Sequence, residues 1–154
     1  RYISVTGVQT CALPIFVRRG RNAEMILDTS ALLAIVLMEP DAERYARAIA
    51  QSEVRLISTV SWFEATMRID ALGDMEASTR FDAFLHRYRI RTLPFTDGHA
   101  EEARRARRLY GKPHKAQLNY GDCMVYGVAK HEREPLLFKG ADFAQTDIEP
   151  ALKD

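Results

Sequence analysis

The chain has 154 residues, 47% of them apolar, with 22 basic residues against 21 acidic ones and a formal net charge of +1. That is apolar material for one domain with a true core, which excludes a disordered chain, and no apolar run reaches the length needed to span a bilayer. The small basic excess lies in the first 24 residues, where Arg1, Arg18, Arg19 and Arg21 stand against Glu24; the remainder is slightly acidic, which excludes nucleic-acid binding through global charge and leaves only a local patch or bound cations to supply it.

Residues 1–24 show no helical or strand period. They mix Gly7, Pro14 and Gly20 with arginines that follow the short apolar stretch instead of preceding it, so they do not read as a signal peptide. Residues 5–15 also resemble a translated sequencing adapter read in one frame. The expectation is a non-native or disordered leader over 1–24 and a single domain over 25–154. Setting the leader aside removes Cys11 and leaves Cys123 as a small buried thiol. Two cysteines make no disulfide framework, and a reducing cytoplasm is the simplest setting.

From Met25 the periodicities alternate. A short apolar strand over 25–27 runs directly into Asp28-Thr29-Ser30 and a helix to about Leu37. Glu39-Pro40-Asp41 breaks that helix, and a second continues to about Gln51. A strand over 55–57 leads through Ser58-Thr59-Val60-Ser61 into a helix over 62–72, closed by Gly73. A helix over 76–89 and a strand over 90–93 follow. Asp97 is expected to cap a helix reaching Tyr110, and a loop over 111–118 precedes the helix opened by Asn119. A strand over 135–138 comes next, and Ile148 belongs to a short fifth. Strands alternating with helices predict an α/β fold, a parallel sheet covered on both faces.

Four acids end apolar runs or open helices: Asp28, Glu64, Asp122 and Asp142. In open α/β sheets ligands bind beyond the carboxyl ends of the strands, so these acids are expected along one edge. Clustered carboxylates repel unless cations balance them, and an all-oxygen donor set selects Mg²⁺ or Mn²⁺. Each acid also has a plain structural reading. Asp28 and Asp122 suit helix starts, Ser61-Trp62-Phe63-Glu64 suits a capping box, and Asp142 suits a turn, as does Asp147. Of Trp62 and Phe63, one is expected in the core and the other at a subunit contact.

Met-Ile-Leu-Asp-Thr-Ser-Ala-Leu at 25–32, Ser-Trp-Phe-Glu at 61–64, Leu-Asn-Tyr-Gly-Asp-Cys at 118–123 and Leu-Leu-Phe-Lys-Gly-Ala-Asp-Phe at 136–143, in this order, resemble the PIN-domain ribonucleases, in particular the VapC toxins of bacterial toxin–antitoxin pairs. The resemblance implies a three-layer αβα sandwich around a central parallel sheet of four to five strands. It implies a metal-dependent endoribonuclease acting on structured RNA such as transfer or ribosomal RNA. The four acids would be catalytic and would hold one or two Mg²⁺ or Mn²⁺ ions, with Ser30 and Asn119 in support and Asp147 as an alternative to Asp142. The implied partners are a cognate VapB-like antitoxin, the RNA substrate and a second copy of the chain in a homodimer, with no membrane.

Lys112, His114 and Lys115 lie in the loop leading to Asp122, after Arg104, Arg105, Arg107 and Arg108 on the preceding helix. The loop residues are candidate RNA contacts; the helix reads as readily as a solvated face paired with Glu101 and Glu102. The alternative to a nuclease is a catalytically inactive PIN fold that binds RNA or protein. An aspartyl-nucleophile phosphatase would want a second Asp two residues after Asp28, where Ser30 stands.

Overall fold

The structure, a computed structural model, describes residues 24–153. The leader therefore lies outside the described residues except for Glu24, which begins the first strand. The elements in order are β1 Glu24–Leu27, α1 Thr29–Val36, α2 Ala42–Gln51, β2 Val54–Ser58, α3 Thr59–Asp70, α4 Met75–Arg87, β3 Arg91–Leu93, α5 Asp97–Tyr110, α6 Tyr120–Glu132 and β4 Leu136–Leu137, followed by a 3₁₀ turn at Phe143–Gln145.

The four strands form one sheet in the order β3-β2-β1-β4, and every pairing is parallel. The pleat sends alternate side chains to opposite faces, which divides the core in two. Leu27, Ile57 and Leu137 point to one side and pack with Leu32, Ile49, Ile69 and Phe81 of α1 to α4. Ile26, Leu56 and Leu136 point to the other and pack with Ala106, Val125 and Tyr126 of α5 and α6. This is the three-layer sandwich expected. Ile148 is buried, but the expected fifth strand reduces to a single parallel bridge between Leu136 and Pro150. The pairing consists of Leu136 N–H donating to Glu149 C=O and Ala151 N–H donating to Leu136 C=O.

α5 and α6 are held unusually close, and Gly127 permits it. A Cβ on Gly127 would stand 2.3 Å from the His99 carbonyl oxygen and 2.9 Å from the Ala103 nitrogen. The register of α6, and with it the placement of Asp122, depends on that backbone contact.

Two helix starts differ from the sequence reading. α5 is capped by Thr96 instead of Asp97, through a reciprocal box with His99. α3 begins at Thr59 under a Ser58 cap, with the Ser58 hydroxyl accepting from Ser61 N–H at 2.9 Å. The Ser61–Glu64 capping box is therefore not formed, because Ser61 already lies inside the helix. The earlier start also rotates Trp62 and Phe63 away from the core. Both are exposed, Phe63 by 57%, so neither fills the interior.

Candidate active site

Because all strands run the same way, their carboxyl ends share one edge. Asp28 leaves the end of β1 and caps α1; its Oδ2 accepts from Ser30 N–H at 3.0 Å and from the Ser30 hydroxyl. The Ser30 oxygen also accepts from Lys139 N–H at 2.9 Å. One hydroxyl thus ties the end of β1 to the segment after β4, the segment that carries Asp142. Asp28 N–H donates to Leu137 C=O at 2.9 Å, extending the same tie along the backbone.

Glu64 is half-buried on the second turn of α3. Its Oε2 accepts from the Thr29 hydroxyl at 3.0 Å, and its Oε1 lies 3.6 Å from Arg68 Nη1. Thr29 is also 3.2 Å from the Ser61 carbonyl oxygen. Sequence reasoning missed this residue: its position beside Asp28 was visible, but its partner lies 35 positions away.

Asp122 is held by the start of α6. Its Oδ2 accepts from Asn119 N–H at 2.8 Å, while Asn119 Oδ1 accepts from Asp122 N–H at 3.0 Å. The plain reading of Asp122 as a cap is therefore realised, with only one carboxylate oxygen engaged in it. Between the two, Gly121 faces Glu64: a Cβ there would stand 3.6 Å from Glu64 Oε2 and 3.4 Å from Asn119 Oδ1. The bare glycine leaves room where the first turn of α6 meets α3. Asp142 opens the 3₁₀ turn, is exposed and makes no capping bond with its side chain.

Electrostatics ties the four together. Burial raises Asp28 to a pKa of about 6; the Ser30 bonds oppose this, and the charges of Glu64 and Asp122 add to it. Asp122 is also raised, first by burial and then by Asp142 and Glu64, against the Asn119 N–H that lowers it. Each of the four acids enters these repulsions, so the structure sets the full predicted set along one edge beside Ser30 and Asn119, with the carboxylates standing farther apart than the 4.8 Å at which three side chains would share an ion. All the side-chain donors are oxygens, and a shared divalent cation would relieve the repulsion that raises Asp28 and Asp122. The donor chemistry fits Mg²⁺ or Mn²⁺.

Asp147 is placed elsewhere. It accepts from Tyr126 Oη at 2.6 Å and from Lys130 Nζ at 2.6 Å, and Tyr110 also bonds to it. Burial would raise it, but Lys130, Tyr126 and Tyr110 hold it down at about 2. It anchors the chain end against α5 and α6 and does not appear among the charges acting on Asp28 or Asp122.

Among the described residues, the ligand-type side chains that bring their atoms within 4.8 Å of one another are His99, His131 and Glu132. His99 Nδ1 accepts from Thr96 N–H at 3.1 Å, which puts the ring proton on Nε2, 2.9 Å from Glu132 Oε1. Both ring nitrogens are thus engaged by the capping box and by Glu132, and the group serves the packing of α5 on α6.

Of the loop residues, Lys112 and Lys115 are exposed, whereas His114 turns inward: its Nδ1 accepts from Ala116 N–H at 3.1 Å and its ring meets Tyr110 edge-on.

Residues 25–149 match the PIN domain family model. The chain belongs to the PIN-domain family. Among its relatives, a VapC ribonuclease of Mycobacterium bovis is 46% identical over 80% of this chain and 95% of the relative. The Ribonuclease VapC of Mycolicibacterium smegmatis is 43% identical over 80% of this chain and 97% of its own length. The fold of this PIN domain is also that of Mycobacterium tuberculosis VapC20, a sarcin-ricin-loop-cleaving toxin, with a TM-score of 0.66 at 15% identity over 80% of this chain and 95% of that one. Such kinship places the chain among the VapC ribonucleases.

Proposed function

We propose that this PIN domain is the toxin of a toxin–antitoxin pair, an endoribonuclease that hydrolyses phosphodiester bonds in structured RNA with the help of Mg²⁺ or Mn²⁺. The observation that carries the reading is the placement of Asp28, Glu64, Asp122 and Asp142 along one sheet edge, where burial, and after it the charges of Glu64 and Asp122, push Asp28 up to about 6. Relatives named VapC ribonucleases support the reaction class. The solved complex of VapBC2 from Rickettsia felis, which has the same fold, supports an antitoxin partner.

The residues present assign the roles. Asp28, Glu64, Asp122 and Asp142 would hold one or two cations. When bound, the metal supplies charge neutralisation at the phosphate and a water of lowered pKa. Ser30 fixes the Asp28 carboxylate and the segment bearing Asp142. Thr29 fixes Glu64, and Asn119 orients Asp122 so that one oxygen stays free of the cap. Lys112 and Lys115, exposed in the loop before α6, would meet backbone phosphates. A homodimer is the assembly we infer, with exposed Trp62, Phe63 and Met67 of α3 as its apolar surface.

Incubating the protein with total transfer and ribosomal RNA plus Mn²⁺ should give discrete cuts. Chelator and Asp122→Asn should each abolish them. Asn can still accept from Asn119 N–H, so the variant keeps the cap and loses only the charge. Cutting that survives in the variant would reject these acids as the catalytic centre.

A further inference from the structure

Beside the acid cleft, α5, the loop after it and the first turn of α6 enclose a groove of about 630 Å³, a size typical of small-molecule sites. Its walls are mainly apolar, with Phe95, Leu118 and Met124 among them, and Arg104, Arg107 and Lys112 also line it. None of these three cations forms an ion pair or a side-chain hydrogen bond with any described residue. Arg107 folds back over the end of its own helix: its Nη1 covers Gly111 so closely that a Cβ there would stand 2.2 Å away, and its charge acts on the Cys123 thiol at the groove wall.

The groove and the acid cleft share a wall. Asn119 and Tyr120 line the groove, and the same turn carries Gly121 and Asp122 into the cleft. Tyr120 stands between the two with 80% of its surface exposed. An apolar slot with an aromatic at its mouth, cations around it that pair with no described residue, and a set of carboxylates next door is complementary to a nucleotide. Its face is apolar and aromatic, its edge is anionic, and its neighbour is the bond to be cut. An acidic or purely apolar protein segment would use the cations or the walls, whereas a nucleotide uses both.

We propose that this groove seats an unpaired nucleotide adjoining the scissile phosphate, its base against Phe95, Met124 and Tyr120 and its phosphates on Arg104, Arg107 and Lys112. The assignment rests on the nuclease reading above. It names the recognition element within that reading: a base enters the groove only when it is unstacked, and Phe95, Tyr120 and Met124 are the side chains that would meet it.

The test uses the full chain in chelator, which suppresses hydrolysis, with a mixed-sequence single-stranded oligoribonucleotide carrying 4-thiouridine. Photocrosslinks are expected on Phe95, Tyr120 or Met124. Ala100→Trp, at an exposed position lining the groove, should fill it and weaken binding about tenfold, the scale of losing one base stack. Arg107→Ala, also exposed, provides a second variant with no added bulk and should weaken binding and flatten its salt dependence. Crosslinks confined to other surfaces, or both variants binding RNA like the parent, would overturn the assignment. So would an Ala100→Trp protein that changes only its oligomeric state on size exclusion, which would make the groove a contact between copies. Adding Mn²⁺ separates the two readings. Groove binding without cleavage contradicts the nuclease and keeps the groove; cleavage with an unchanged KM in both variants contradicts the groove and keeps the nuclease.

Discussion

At the residue scale the site is a conflict between stability and chemistry. Asp28 is 7% exposed, and its pKa is raised from 3.8 to about 6, so the folded protein holds this proton more tightly than the unfolded chain does. The sign is the reverse of a salt-bridged carboxylate. Its stabilising contribution is complete below about pH 3.8 and is lost as pH rises through about 6. Without metal, Asp28→Asn should therefore be more stable than the parent at neutral pH, by up to about 3 kcal/mol from the size of the shift, while losing cleavage. Thermal unfolding in chelator across pH 4 to 8 checks this, and a variant less stable than the parent would make Asp28 a cap and nothing more. Thr29 has the opposite profile. Thr29→Val removes the hydroxyl that holds Glu64 and should cost about 1 kcal/mol in denaturant unfolding, with a fall in cleavage rate larger than that loss of stability explains. The acids were legible in the sequence because each ends a strand or opens a helix. Thr29 was not, because its role depends on which residue the fold sets opposite it.

At the element scale the cleft is built from helix starts. Asp28 caps α1, Asn119 caps α6, and Ser58 caps α3, which places Glu64 on the second turn. Capping and metal binding are compatible uses of one carboxylate, since a cap takes one oxygen and leaves another. That compatibility is why sequence alone could not separate the two readings for Asp28 and Asp122. It could not fix the start of α3 either: Ser58, Thr59 and Ser61 are all competent caps, and burial of Ser58 and Ser61 in the fold selects among them. Gly127 reports on how α6 is held. In an isolated helix, glycine to alanine stabilises by somewhat under about 1 kcal/mol. Here the added methyl meets the His99 carbonyl, so Gly127→Ala should destabilise by about 1–3 kcal/mol. Chemical denaturation gives the sign directly, and a stabilised variant would mean that α5 and α6 do not pack this closely.

At the scale of the whole molecule, alternating strands and helices made the parallel sandwich readable, and paired apolar residues such as Ile26-Leu27 and Leu136-Leu137 showed strands buried on both faces. Strand order was not readable, because nothing local says that β4 joins beside β1 while β3 lies beyond β2. Yet that order decides the site: it brings the ends of β1 and β4 together, where Ser30 and Lys139 join them. If this edge sets four carboxylates to hold a cation, calorimetric titration of Mn²⁺ into the parent, Asp28→Asn and Asp122→Asn will read it. The expected result is saturable binding by the parent and at least about tenfold weaker binding by each variant, a loss on the order of 1.4 kcal/mol or more, with the folds intact by circular dichroism. A parent that binds no Mn²⁺, or variants that bind it as tightly as the parent, would rule out a cation site here and leave Asp28 and Asp122 as helix-start residues.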